Sequence, residues 1–133
     1  MKSFMSIFAF LSIVIVGATG MAQAQDAPGF VVKTYPKQAI GAAVQEMQAL
    51  EGPDAVLSPK VRELIGLAVA AQVPCAYCVY YHTKAARAFG ATDAEVREAI
   101  AGAAAVRKWS TVLNGSMYDL NVWEREIDAM FSN

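Results

Sequence analysis

From Pro36 onward, apolar side chains recur every three or four positions, and no stretch alternates convincingly at period two. Residues 25–35 ("QDAPGFVVKTY") carry no such rhythm and are expected to form an extended lead-in. Ala39, Ile40, Ala43, Val44, Met47 and Leu50 fall on one face of a first helix, which "EGPD" (51–54) stops. Ser58-Pro59 supplies an N-cap and a proline at the first helical position of a second helix, running to about Gln72. Its segment "LIGLAVAA" (64–71) is apolar on every side, which predicts a central, buried element. A third helix is expected to start at Pro74 and to end at Phe89-Gly90 with a left-handed glycine. Thr92 and Glu95 have the spacing of a capping box for a fourth helix, with Val96, Ile100, Ala103 and Ala104 as its inner stripe. "LNGS" (113–116) reads as a turn, and a last helix is expected from Tyr118 to Phe131. The predicted fold class is all-α: a compact helical domain of about five helices spanning 36–133. Its alanine-rich faces imply close helix contacts, and its small size favours oligomerisation.

The N-terminus differs from this pattern. Lys2 precedes an apolar run, "FMSIFAFLSIVIV" (4–16), and "GATGMAQA" follows, ending in the small-x-small pattern of a leader cleavage site. The run is shorter than the roughly 20 residues a membrane span needs. The expectation is a secretory signal peptide over 1–24, a periplasmic or secreted mature protein, and no membrane association after cleavage; an uncleaved anchor is the alternative. With 11 basic and 12 acidic residues and a formal net charge of −1, the chain has no basic stripe and hence no footprint for nucleic acid. Asn114-Gly115-Ser116 matches a glycosylation sequon, read here as a chance match at a turn.

The chemistry concentrates in "VPCAYCVYYHTKA" (73–85), which holds both cysteines and the one histidine of the chain. On a helix, Cys75, Cys78 and His82 lie within a sector of roughly 60°. Unpaired amides and the helix dipole at the first turn favour a thiolate at Cys75, so one cysteine can be nucleophilic while its partner waits to close a disulfide. His82 can exchange a proton near neutral pH. Glu63 stands near the start of an otherwise apolar helix, where a carboxylate either snorkels to water or is held for a purpose. In a plain antiparallel hairpin the link at Val73 places Glu63 at the far end from Cys75. An angled crossing or a neighbouring subunit would then be needed to join them.

Other readings of the same residues are a structural disulfide, a zinc site using Cys75, Cys78, His82 and Glu63, and a hydrogen-bonded core histidine. A disulfide here closes only a short loop, and three ligands from one helical face crowd a tetrahedral ion. Haem attachment fails because Val79 stands where Cys-x-x-Cys-His needs histidine. Tyr77 and Tyr81 are packing residues or walls of a thiol pocket. Trp109 and Trp123 are expected in the core or at a subunit interface.

The stretch "LSPKVRELIGLAVAAQVPCAYCVYYHTKAARAFGATDAEVREAI" resembles the carboxymuconolactone decarboxylase-like, alkylhydroperoxidase-D-like family. Glu63, the Cys75/Cys78 pair after eleven intervening residues, and His82 after three more match the pattern of its redox-active branch, as does "GAT-x-x-EV" at 90–96. The resemblance implies a helical domain assembling into trimers or hexamers and reducing hydroperoxides without a bound cofactor. By the same resemblance Cys78 is the peroxidatic thiolate, Cys75 the resolving thiol, and Glu63 with His82 the proton relay. Tyr77 stands where better-known members have histidine, and the helical motif occurs once where some members have two. An exported protein is also separated from cytosolic lipoyl-linked partners, so its reductant would be an exported dithiol protein. A thiol–disulfide oxidoreductase acting on proteins and a non-catalytic helical interaction module are the competing functions. Lactone decarboxylation has no evident use for paired cysteines.

Overall fold

The computed structural model describes residues 27–132; the predicted leader, residues 1–24, lies outside them. The described residues contain six α-helices and one 3-10 turn, and none of these helices is long and apolar enough to cross a membrane. They fall into two compact units, one ending at Ala55 and one beginning at Val56.

The first unit holds α1 (Gly29–Thr34), a 3-10 turn (Lys37–Ala39) and α2 (Ile40–Glu51). The expected extended lead-in is therefore corrected: its second half is a short helix. Val31, at 2% exposure, packs with the buried Ile40 and Val44, and this hydrophobic contact orders a segment whose own sequence has no helical period. Leu50 is exposed, so the apolar face of α2 ends at Met47.

The second unit consists of α3 (Pro59–Gln72), α4 (Ala76–Ala88), α5 (Asp93–Gly115) and α6 (Leu120–Phe131). The Ser58 hydroxyl accepts the Val61 N–H at 3.4 Å, and Pro59 occupies the first turn, as the sequence predicts. α4 ends with Gly90 at φ +85°, where the Ala91 N–H reaches back to the Ala86 carbonyl at 2.8 Å. The capping box of α5 is complete, with Thr92 and Glu95 exchanging bonds.

α3 is central, packed by α4 on one side and α5 on another. Leu67, Ala86, Ala91 and Val96 form the buried core, with Leu64 and Val79 against it. Ala70 and Ala86 are almost fully buried, which lets the helix backbones approach closely. The expectation that α3 is buried all round is corrected. Val61, Ile65 and Val69, four residues apart, remain 41–55% exposed because two neighbouring helices cover only two of its sides. On α5, Val96 and Ala103 face inward while Ile100 and Ala104 do not, and the helix runs on through the predicted turn to Gly115. The Gln72 amide donates to the Ala103 carbonyl, while Arg107 Nε donates to Gln72 Oε1 at 2.8 Å, locking the end of α3 to α5.

α6 has no buried residue; Leu120, Met130 and Phe131 are mostly exposed. Asp119 caps it by accepting the Val122 N–H at 3.0 Å, and Tyr118 meets Trp123 edge to face. The Tyr118 hydroxyl donates to the Glu126 carboxylate, which pushes the phenol pKa up. Trp109 is 55% exposed, so it is not a core residue of the described chain.

At the start of the three-helix core, Lys60 Nζ lies 2.7 Å from Glu95 Oε1 and joins the first turns of α3 and α5. The Lys60 hydrogen bond, followed by those from the Thr92 backbone and hydroxyl, lowers the Glu95 carboxyl from 4.5 to about 2. A carboxylate lowered in this way stabilises the fold above the unfolded value near 4.5 and loses that contribution as pH falls toward 2. Glu95→Gln is expected to lower the melting temperature at neutral pH, with the difference from the natural chain closing as pH approaches 2. Thermal melts followed by circular dichroism across that range check the sign.

Candidate active site

Cys75 and Cys78 are joined by a disulfide with Cα atoms 5.3 Å apart. Helix α4 starts two residues later than Pro74, with Cys75 as its N-cap, because the Cys75 sulfur accepts the Cys78 N–H at 3.2 Å. The backbone holds this corner from both sides. The Cys75 N–H donates to the Ala70 carbonyl of α3 at 3.1 Å, and the Cys75 carbonyl accepts from Val79 at 2.9 Å. The sulfur at position 75 thus sits at the positive end of the α4 dipole with an N–H aimed at it, a setting that favours negative charge.

Glu63 is 97% removed from solvent and its Oε2 lies 2.8 Å from His82 Nδ1. With an ionised Glu63 as acceptor, the ring donates from Nδ1 in this bond. The hairpin explains the pairing. Glu63 stands ten residues before Val73 and His82 nine after it, so antiparallel α3 and α4 set the two side by side. The hairpin brings Glu63 to His82 and not to the sulfurs: among the described residues no hydrogen bond joins Glu63 to Cys75 or Cys78. The partner is His82, which lies one turn beyond Cys78, about 6 Å along the axis.

Gly66 makes this contact possible. A Cβ built there would lie 2.5 Å from His82 Cε1 and 2.6 Å from Nδ1, so the imidazole crosses α3 directly over the glycine. The sequence shows Gly66 on the Glu63 face, yet only the register of the hairpin reveals that a ring occupies the space. The aromatic residues divide differently from expectation. Tyr77 is 90% exposed and packs on nothing central, while Tyr81 meets His82 edge to face at 5.1 Å. Tyr80, not singled out from the sequence, lines an open groove that also includes Cys75.

This is an all-helical protein with a Cys-x-x-Cys pair at a helix N-terminus and a buried carboxylate–imidazole pair one turn along. Residues 38–116 match the carboxymuconolactone decarboxylase family, and the chain belongs to that family. A stretch of 54 residues is 41% identical to "Uncharacterized protein 4 in cox locus" of Paracoccus denitrificans, covering 41% of this chain and 49% of that protein. The chain thus spans about half the length of the curated relative it matches. No solved structure matches.

Gly66→Ala is expected to push the imidazole off Glu63 and leave a buried carboxylate without its partner. The loss of stability should be about 2–4 kcal/mol, read from urea unfolding. An unchanged midpoint, with the His82 ring resonances where they stand in the natural chain, would contradict this account of the packing.

Proposed function

We propose that this protein is a thiol-dependent peroxidase that reduces hydroperoxides through Cys75 and Cys78. The observation that carries the reading is the disulfide at the start of α4 with the Glu63–His82 pair one turn away on the same hairpin. In the reduced protein the Cys78 thiolate attacks the terminal oxygen of the peroxide. The O–O bond breaks, the alkoxide takes a proton through His82, and a sulfenic acid remains at Cys78. The Cys75 thiol then condenses with it, releasing water and closing the disulfide. One hydroperoxide and two thiols give one alcohol, one water and one disulfide. Glu63 orients the imidazole and stabilises it when it is charged.

An exported dithiol protein is the proposed reductant, in keeping with the leader-like N-terminus and a periplasmic or secreted location. The half-exposed Val61, Ile65 and Val69 stripe supports self-association, and the family resemblance supplies the trimer or hexamer as the proposed assembly.

Reduced protein mixed with hydrogen peroxide or cumene hydroperoxide is expected to lose both thiols per peroxide consumed and to form the intramolecular disulfide. Cys78→Ser should abolish the consumption, whereas Cys75→Ser should leave a sulfenic acid that a dimedone-type reagent traps at Cys78. Glu63→Gln should slow thiol oxidation by about a hundredfold. Thiols that ignore peroxide, or a disulfide potential below roughly −300 mV, would defeat the proposal.

A further inference from the structure

Ala103 is the last buried residue of the described chain; every side chain from position 104 to 132 is at least partly exposed. Arg107, held to Gln72, is the last residue of α5 bonded to α3. The end of α5, from Lys108 to Gly115, therefore overhangs the three-helix core by about 12 Å before the chain turns into α6. α6 is not a polar tail. Leu120, Trp123, Ile127, Met130 and Phe131 share one face at helical spacing. Glu124 and Asp128, four apart, run along an edge of that face, and neither has an ion-pair partner among the described residues. The complementary surface lies on α3. Val61, Ile65 and Val69 form a stripe that neither α4 nor α5 covers, and Arg62 borders it. Arg62 Nη1 donates to the Leu57 carbonyl at 3.3 Å, while its buried Nε has no hydrogen-bond partner among the described residues. No carboxylate meets this guanidinium within the described residues.

We propose that α6 of one copy seats its apolar face on the α3 stripe of a second copy, carried there by the overhanging end of α5. This rests on the self-association proposed above and assigns its two faces. Within its own chain α6 is not among the helices packed on α3, so both surfaces are free for a neighbour. Their sizes agree. The stripe from Val61 to Val69 is about 12 Å long, and the face from Leu120 to Phe131 about 16 Å. Their charges agree as well, because the acidic edge of α6 comes to the side of the stripe where Arg62 lacks a carboxylate. The same acidic edge disfavours a lipid surface, which helices with basic flanks bind. Since the two faces differ, each copy gives one and receives one, and a closed ring or a reciprocal pair leaves neither uncovered.

The test is sedimentation velocity of the full chain over a range of concentrations, with circular dichroism to confirm that each variant keeps its helices. Ile65→Glu on α3 and Ile127→Glu on α6 are each expected to reduce the assembly to single chains. Arg62→Glu should raise the dissociation constant about fivefold, as the loss of one exposed ion pair allows. Adding Glu124→Arg to that same chain should restore most of the association. A double variant that associates more weakly than either single one would overturn the pairing of the two faces. So would an Ile127→Glu chain that assembles like the natural one while Ile65→Glu does not; self-association through the stripe would then stand with a different occupant. A natural chain that sediments as a single copy at every concentration would remove both.

Discussion

The hydrogen bond between Glu63 and His82 constrains everything around it. A carboxylate stripped of water this thoroughly costs several kcal/mol unless a charged or strongly donating partner meets it. That partner is reached only if α3 and α4 run antiparallel in one register and nothing larger than hydrogen projects from position 66. A slip of one residue between the helices would rotate the imidazole away and strand the charge. The pair thus holds the hairpin in the same alignment that puts the sulfurs at the turn, even though a hydrophobic pair of similar shape would stabilise the helices as well.

The turn itself is built from backbone bonds rather than bulk. Cys75 is tied to α3 through the Ala70 carbonyl and to α4 through Val79, and its sulfur replaces the usual hydroxyl or carboxylate cap. Negative charge on that sulfur meets a helix N-terminus, whereas Cys78 lies one turn closer to the imidazole. The two sulfurs therefore sit in different surroundings, one at the helix N-terminus and one a turn nearer the imidazole along α4. The same helix then presents its basic residues, Lys84 and Arg87, near the opposite end, where its dipole favours cations.

Much of this was legible in the residue order. Ser58-Pro59, Thr92 with Glu95, and Gly90 each announce a helix end through local chemistry, and each performs that role. The four candidate site residues stand out by their types and spacing and by the family resemblance that spacing carries. What could not be read were the facts set by contacts far apart in sequence. α1 forms because Val31 finds Ile40 and Val44, and the run from 64 to 71 hides only two of its sides. Periodicity tells which positions are apolar but not how many neighbours arrive to cover them. Gly66 was visible as a small residue, yet its purpose depends on a ring sixteen positions later. Tyr80 was passed over because Tyr77 and Tyr81, four apart, share a face, and the residue order does not show that the groove beside Cys75 lies on the Tyr80 side.

The bare terminal helix α6 has a thermodynamic meaning of its own. Lacking any buried side chain, it is supported by the Asp119 cap, the Tyr118–Glu126 bond and an aromatic edge contact, none of which involves α3 or α4. A helix this short is marginal in water without tertiary docking. In the isolated chain it is therefore expected to open as a separate unit, its amide protons exchanging before those around Leu67.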